Sequence, residues 1–184
     1  MRFPDIYNRL MNPFRAYAKP VKNTADSGFR FGRKSKSELK GVDADVVEAA
    51  TLALSLSEQD YAVHDGLRTL AEQKELVRRR VSRTMNSRHL SGEAIDLVPM
   101  TPKGLRWEWP LCIKVAQAMH KACTKLRMPM TWGGVWDRDI RDLDINDLRG
   151  EMDAYAERYK ERRRAAGKKP RNPFLDGPHF QKRP

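Results

Sequence analysis

Ser87-Arg88-His89-Leu90-Ser91-Gly92-Glu93-Ala94-Ile95-Asp96 is the stretch whose reading decides the fold. Its first half closes a polar, loop-like segment that begins at Ser82. Its second half opens Ala94–Val98, a short apolar run that reads as a strand. Asp96 interrupts that run. A carboxylate inside a buried strand is costly unless it is paired or bound to a metal. His89 stands at the end of the loop, and Gly92 lets the backbone turn so that loop and strand face each other. An imidazole nitrogen and a carboxylate oxygen are both zinc ligands. His-x6-Asp by itself is common, so the rest of the chain has to carry the argument.

Working outward, a second unusual setting lies near the C-terminus, at Asp176-Gly177-Pro178-His179-Phe180-Gln181. If His179 joins His89 and Asp96, a metal has three protein ligands and a fourth position open to water, as a catalytic zinc requires. Asp176 is then placed to take a proton from that water and pass it to a leaving amine.

The elements between these settings mix helices and short strands. A helix is predicted from Asp43, with Val46, Val47, Ala50, Ala53 and Leu54 on one side. Asp60–His64 reads as a strand. Thr69 followed by Glu72 forms a capping box for a helix running to about Arg80. Trp109–Arg127 reads as a long helix with Pro110 in its first turn. Thr131–Gly134 is a short strand or turn, 139–166 is charged and helical in tendency, and Gly167–Pro173 is a basic loop. With no regular βαβ alternation, the expected class is α+β, a small antiparallel sheet flanked by helices. His64 and His120 match no ligand position. Cys112 and Cys123 fall on one predicted helix about 16 Å apart, beyond disulfide reach, and are expected to be buried free thiols.

Three motifs in order resemble one family. Gly66-Leu67-Arg68-Thr69-x-x-x-Gln73, then Ser87-x-His89-x-x-Gly92-x-Ala94-x-Asp96, then Trp132-Gly133-Gly134-x-Trp136 with Asp176-x-Pro178-His179-Phe180, are similar to the signatures of the VanY-like D-Ala-D-Ala carboxypeptidases and phage L-alanyl-D-glutamate endopeptidases. The resemblance spans roughly Ser35 to Gln181. It implies the hedgehog/DD-peptidase-like fold, with His89, Asp96 and His179 as Zn2+ ligands and Asp176 as general base and then acid. It also implies that Arg68 and Ser87 bind a substrate carbonyl or carboxylate. Trp132 and Trp136 are candidates for the cleft wall, with core packing as the alternative. Gln73 is read as positioning a helix.

Residues 1–34 read as a basic N-terminal extension and 35–184 as the peptidase domain. Phe3, Ile6, Tyr7, Leu10, Met11 and Phe14 fall at helical spacing within the extension, until Pro13 breaks the pattern. Compact members of the family place the second Trp close to the final motif. Here a charged insert of about 137–175 intervenes. Its Asp142, Asp144, Asn146 and Asp153 occupy some EF-hand positions, but Asp147 stands where the turn needs glycine, so a solvated helix face is expected.

The 184 residues carry 36 Lys+Arg against 24 Asp+Glu, a formal charge of +12. Such a field attracts polyanions. No recognition-helix motif, RNP-type aromatic pattern or Cys-rich finger supports specific nucleic-acid binding, which leaves peptidoglycan and the anionic cell envelope as expected partners. The N-terminus lacks an apolar h-region, so the expectation is a protein without a signal peptide, made in the host cytoplasm and acting on the wall in the periplasm; a monomer is expected. The endolysin reading, cleavage of L-Ala–D-Glu for lysis, stands ahead of D-Ala-D-Ala trimming and of a non-catalytic basic binder.

Overall fold

A computed structural model of the chain describes residues 26–183. The apolar stripe from Phe3 to Phe14 lies outside the described residues. In chain order the helices are α1 (Arg33–Glu38), α2 (Ala44–Leu56), α3 (Leu70–Arg78), α4 (Trp109–Leu126) and α5 (Leu148–Ala165). The strands are β1 (Tyr61–Asp65), β2 (Ala94–Thr101), β3 (Gly104–Leu105), β4 (Met130–Trp132) and β5 (His179–Lys182), with 3-10 turns at Arg88–Ser91 and Ile140–Asp142.

The sequence signals for the helices work as local chemistry. Asp43 caps α2 by accepting from the Asp45 amide. Thr69 and Glu72 form the reciprocal capping box of α3, satisfying two otherwise orphaned amides. Pro110 sits in the first turn of α4, where no amide donor is needed. Helices α2 and α4 pack through small residues, Ala49, Ala50 and Ala53 against Ala116, Ala122 and Cys123, all fully buried. The core continues through Ile95 and Leu97 of β2 and through Phe180 of β5. Cutting Leu97 back to Ala would cost about 2–5 kcal/mol, since the packed site cannot collapse around the void.

The sheet runs β1-β2-β5-β4, antiparallel throughout, with β3 added to the far end of β2. The last strand in sequence is therefore an interior strand. Four residues are too few to announce a strand by alternation, and β5 forms because β2 and β4 both pair with it. This topology puts Asp96 directly opposite His179 in the β2–β5 register.

α1 also lacks a sequence signal, since Arg33–Glu38 has no apolar stripe. Tertiary contacts hold it. Ser35 is buried and its hydroxyl accepts the Val63 amide at 3.1 Å. Just upstream, Phe31 meets the Tyr61 ring edge-on at 5.9 Å, so domain packing begins before Ser35.

Within the insert, α5 buries Leu148, Met152 and Tyr155, rests Tyr159 against the core, and turns Arg149, Asp153 and Glu157 to solvent. Charged pairs anchor it: Arg158 and Arg162 both reach Asp137, and Arg138 reaches Glu151. The acidic residues of the EF-hand-like stretch serve turns instead. Asp144 accepts from the Asn146 amide and Asp147 from the Gly150 amide. The two cysteines are free and buried, and burial pushes their thiols up to about 11 for Cys112 and about 12 for Cys123.

Candidate metal centre

His89 arrives on the 3-10 turn that Ser87 opens and Gly92 closes. The Ser87 hydroxyl accepts the His89 amide, at a long 3.4 Å. Gly92 adopts φ 71°, and a Cβ there would meet the Gly41 carbonyl at 2.4 Å, so glycine is required twice over. The His89 ring is 2% exposed. Its Nδ1 lies 2.7 Å from the Gly66 carbonyl oxygen. As the donor there, Nδ1 leaves Nε2 as the free base facing inward.

His179 arrives on β5. Its Nε2 lies 3.1 Å from Oε1 of Gln181, two residues along the same strand face. That contact fixes Nδ1 as the inward nitrogen. His179 Nδ1 is 3.0 Å from Asp96 Oδ1 and 3.2 Å from His89 Nε2, and His89 Nε2 is 3.3 Å from Asp96 Oδ1. Among the described residues, these three form the grouping able to hold a metal ion. A tetrahedron with ligand bonds of about 2.0–2.1 Å has edges of about 3.3 Å. The three donors thus stand at the spacing a tetrahedral ion requires, and the two-imidazole, one-carboxylate set suits zinc.

Burial by itself would raise the Asp96 carboxyl, but hydrogen bonds from His179 and His89 and their charges override it and hold the group far below the usual carboxylate range. Burial likewise opposes protonation of His179, yet Asp96 and the negative charge of Asp176 drive its pKa above the ordinary imidazole value. Asp176 is raised, first by burial and then by repulsion from Asp96. A cation among the three donors would relieve this crowding of negative charge.

The Asp176 turn is fixed by Gly133. The Asp176 amide donates to the Gly133 carbonyl at 2.9 Å, and the Gly133 amide donates to the His179 carbonyl at 2.8 Å. A Cβ on Gly133 would come within 2.1 Å of the Asp176 carbonyl oxygen. The Trp-Gly-Gly motif therefore serves as a backbone clamp on the base candidate and the last ligand candidate together.

Arg68 is nearly buried. It is bound by Asp65, with its Nε at 3.1 Å, and by Gln73 Oε1 at 2.6 Å, and its Nη2 stands 3.9 Å from Asp96 Oδ2. Gln73 is fully buried and donates onward to the Ser82 hydroxyl and the Thr84 carbonyl. It positions both Arg68 and the loop before His89.

One expectation is corrected. Trp132 does not line a cleft: it is 0% exposed, its indole N–H donates to the Gly177 carbonyl at 2.7 Å, and its ring packs in the core. The aromatic beside the centre is Trp136, 5.2 Å from the His179 ring and stacked on Phe174. Gln181, Phe174 and the Gly66 carbonyl were not singled out from sequence. Only Gln181 had a usable signal, the period-two spacing from His179, and that required knowing that the segment is a strand. His64 is exposed against Trp107, and His120 lies on α4, so neither joins the centre.

A family model described as phage L-alanyl-D-glutamate peptidase matches residues 27–156. The L-alanyl-D-glutamate peptidase of Escherichia phage T5 is 28% identical over 117 residues, covering 59% of this chain and 85% of that protein. The crystal structure of the Serratia marcescens L-Ala D-Glu endopeptidase ChiX superposes with a TM-score of 0.60 at 31% identity, covering 85% of this chain and 92% of the other.

Proposed function

This chain belongs to the phage L-alanyl-D-glutamate peptidase family, and on that footing we propose that it is a zinc-dependent endopeptidase cutting the L-Ala–D-Glu bond of peptidoglycan stem peptides during phage-induced lysis. The observation that carries the reading is the convergence of His89 Nε2, Asp96 Oδ1 and His179 Nδ1 within 3.3 Å of one another, from a turn and two paired strands.

In this reading His89, Asp96 and His179 would hold the ion. Bound there, zinc supplies a Lewis acid that acidifies water and polarises the carbonyl. Asp176 takes the proton from the attacking water as its oxygen bonds to the carbonyl carbon. It returns that proton to the D-Glu nitrogen as the C–N bond breaks, leaving an amine and a carboxylic acid that gives its proton to solvent. Burial, the leading cause of its raised pKa, suits a carboxyl that must both accept and give a proton. Arg68, locked by Asp65 and Gln73, holds positive charge beside Asp96 and orients the substrate's carbonyl or carboxylate. Ser87 contributes through the turn that presents His89.

The substrate lies in the wall, so the site of action is the periplasm. Among the described residues no helix is long and apolar enough to cross a membrane. The charge of +12 favours contact with an anionic envelope. The test is mass spectrometry of peptidoglycan digested by the purified protein with and without a chelator. Chelator-sensitive peptides bearing a new D-Glu N-terminus are expected. Release of free D-Ala would move the cut to the terminal bond, and no product with zinc present would overturn the catalytic reading.

A further inference from the structure

Around the three-residue centre the contacts close into a ring. Asp96 approaches Arg68, which is bound by Gln73, which holds Ser82 and Thr84. Between those two residues stands Arg83, whose guanidinium lies over the Phe174 ring, 4.7 Å from its centroid. Phe174 stacks on Trp136 at 6.5 Å, and Trp136 leans on His179 at 5.2 Å, which returns the circuit to Asp96. The loop before His89 and the end of the insert, far apart in sequence, thus meet at Arg83 and Phe174 on the rim of the centre.

The two arginines of this ring differ in how they are held. Arg68 is nearly buried and already engaged by Asp65 and Gln73. Arg83 is exposed, and among the described residues it has no carboxylate partner; it rests on an aromatic face. Stacking restrains the guanidinium plane while leaving its edge donors open, an arrangement suited to receiving a carboxylate.

We infer that Arg83, steadied by Phe174, is a specificity-determining residue that binds a free carboxylate of the stem peptide a few residues or less from the cut bond. The inference rests on the endopeptidase reading above. The steps of 5.2, 6.5 and 4.7 Å bound the path from His179 to Arg83, and at about 3.3–3.6 Å per residue of extended peptide that path spans no more than about five residues. The insert then does more than lengthen the chain: its last residues support the rim that reads substrate charge.

The experiment uses the full-length, zinc-loaded protein and a synthetic stem peptide, together with variants in which each free carboxylate is amidated in turn. For the wild type, one amidation is expected to raise KM about tenfold or more, the loss of one charge-assisted contact. Arg83→Gln should raise KM for the unmodified peptide to a similar level and abolish its preference over that amide, with the change falling on KM and zinc content unaltered. Arg83→Lys should recover part of the preference, and Phe174→Leu should weaken it. The inference is overturned if Arg83→Gln keeps the wild-type discrimination, or if it lowers kcat equally for every peptide, which would mark a structural role. Failure of the wild type to cut any peptide would instead overturn the endopeptidase reading itself.

Discussion

At the metal-site end of the sheet, His89 and His179 are 2% and 9% exposed, and each ring is aimed by a hydrogen bond on its outer nitrogen. In the insert, Arg162 is 53% exposed where it meets Asp137, and α5 docks on the core through Leu148, Met152 and Tyr155 with such ion pairs at its edge. In the first region a Cβ on Gly92 or Gly133 would meet a backbone carbonyl oxygen at 2.4 or 2.1 Å. The second adds to its apolar stripe ion pairs that water and salt weaken. Position is stringent where donors must stand about 3 Å apart, and tolerant where a helix only needs to remain docked.

Substitutions can break or sharpen that contrast. The largest effect is expected at the donors: His179→Ala or His89→Ala should lose bound zinc and activity together, checked by metal analysis alongside wall hydrolysis. Retention of stoichiometric zinc by either variant would dismantle the ligand assignment. Asp176→Ala should keep the metal and lower kcat by about 10²–10⁴-fold. Normal turnover by that variant would remove Asp176 from the chemistry. Gly133→Ala, which drives a methyl toward the Asp176 carbonyl, should cost about 1–3 kcal/mol in denaturant unfolding and reduce turnover as well. A neutral result would show the clamp to be looser than its contacts imply.

The smallest effect belongs to the insert. Asp137→Asn should cost less than about 1 kcal/mol and leave zinc binding intact. Burial opposes the charged form of Asp137, but Arg158 and Arg162 outweigh it and depress its pKa below 3.8. The sign follows from that depression. The stabilisation is present above the ordinary carboxylate pKa and is lost as pH falls through the lowered folded value. The difference in stability between wild type and Asp137→Asn should therefore shrink in acid, and in high salt, when followed by urea melts. A difference that grows in acid would contradict the pairing.

Much of the site was legible because its residues violate local expectation. Asp96 interrupts an apolar strand, and Gly92 marks the turn between the loop and that strand. The Thr69 capping box and the Pro110 start were legible for a related reason, since each is satisfied within a few residues of itself. Trp132 was misplaced because the same indole serves a cleft wall or a core equally well on paper. Its neighbour in the sequence pattern, Trp136, took the place beside His179.

By itself the sequence determined the α+β class, the capped helices, the candidate ligands and the order of the motifs, because each of these depends on residue type and short spacing. Only the tertiary structure decided that β5 enters the middle of the sheet and sets His179 opposite Asp96. It also decided which nitrogen of each histidine faces inward, and that Arg83 meets Phe174 across the rim. Those outcomes depend on strand pairing and on contacts between segments tens of residues apart, and no local pattern encodes a partner at that distance.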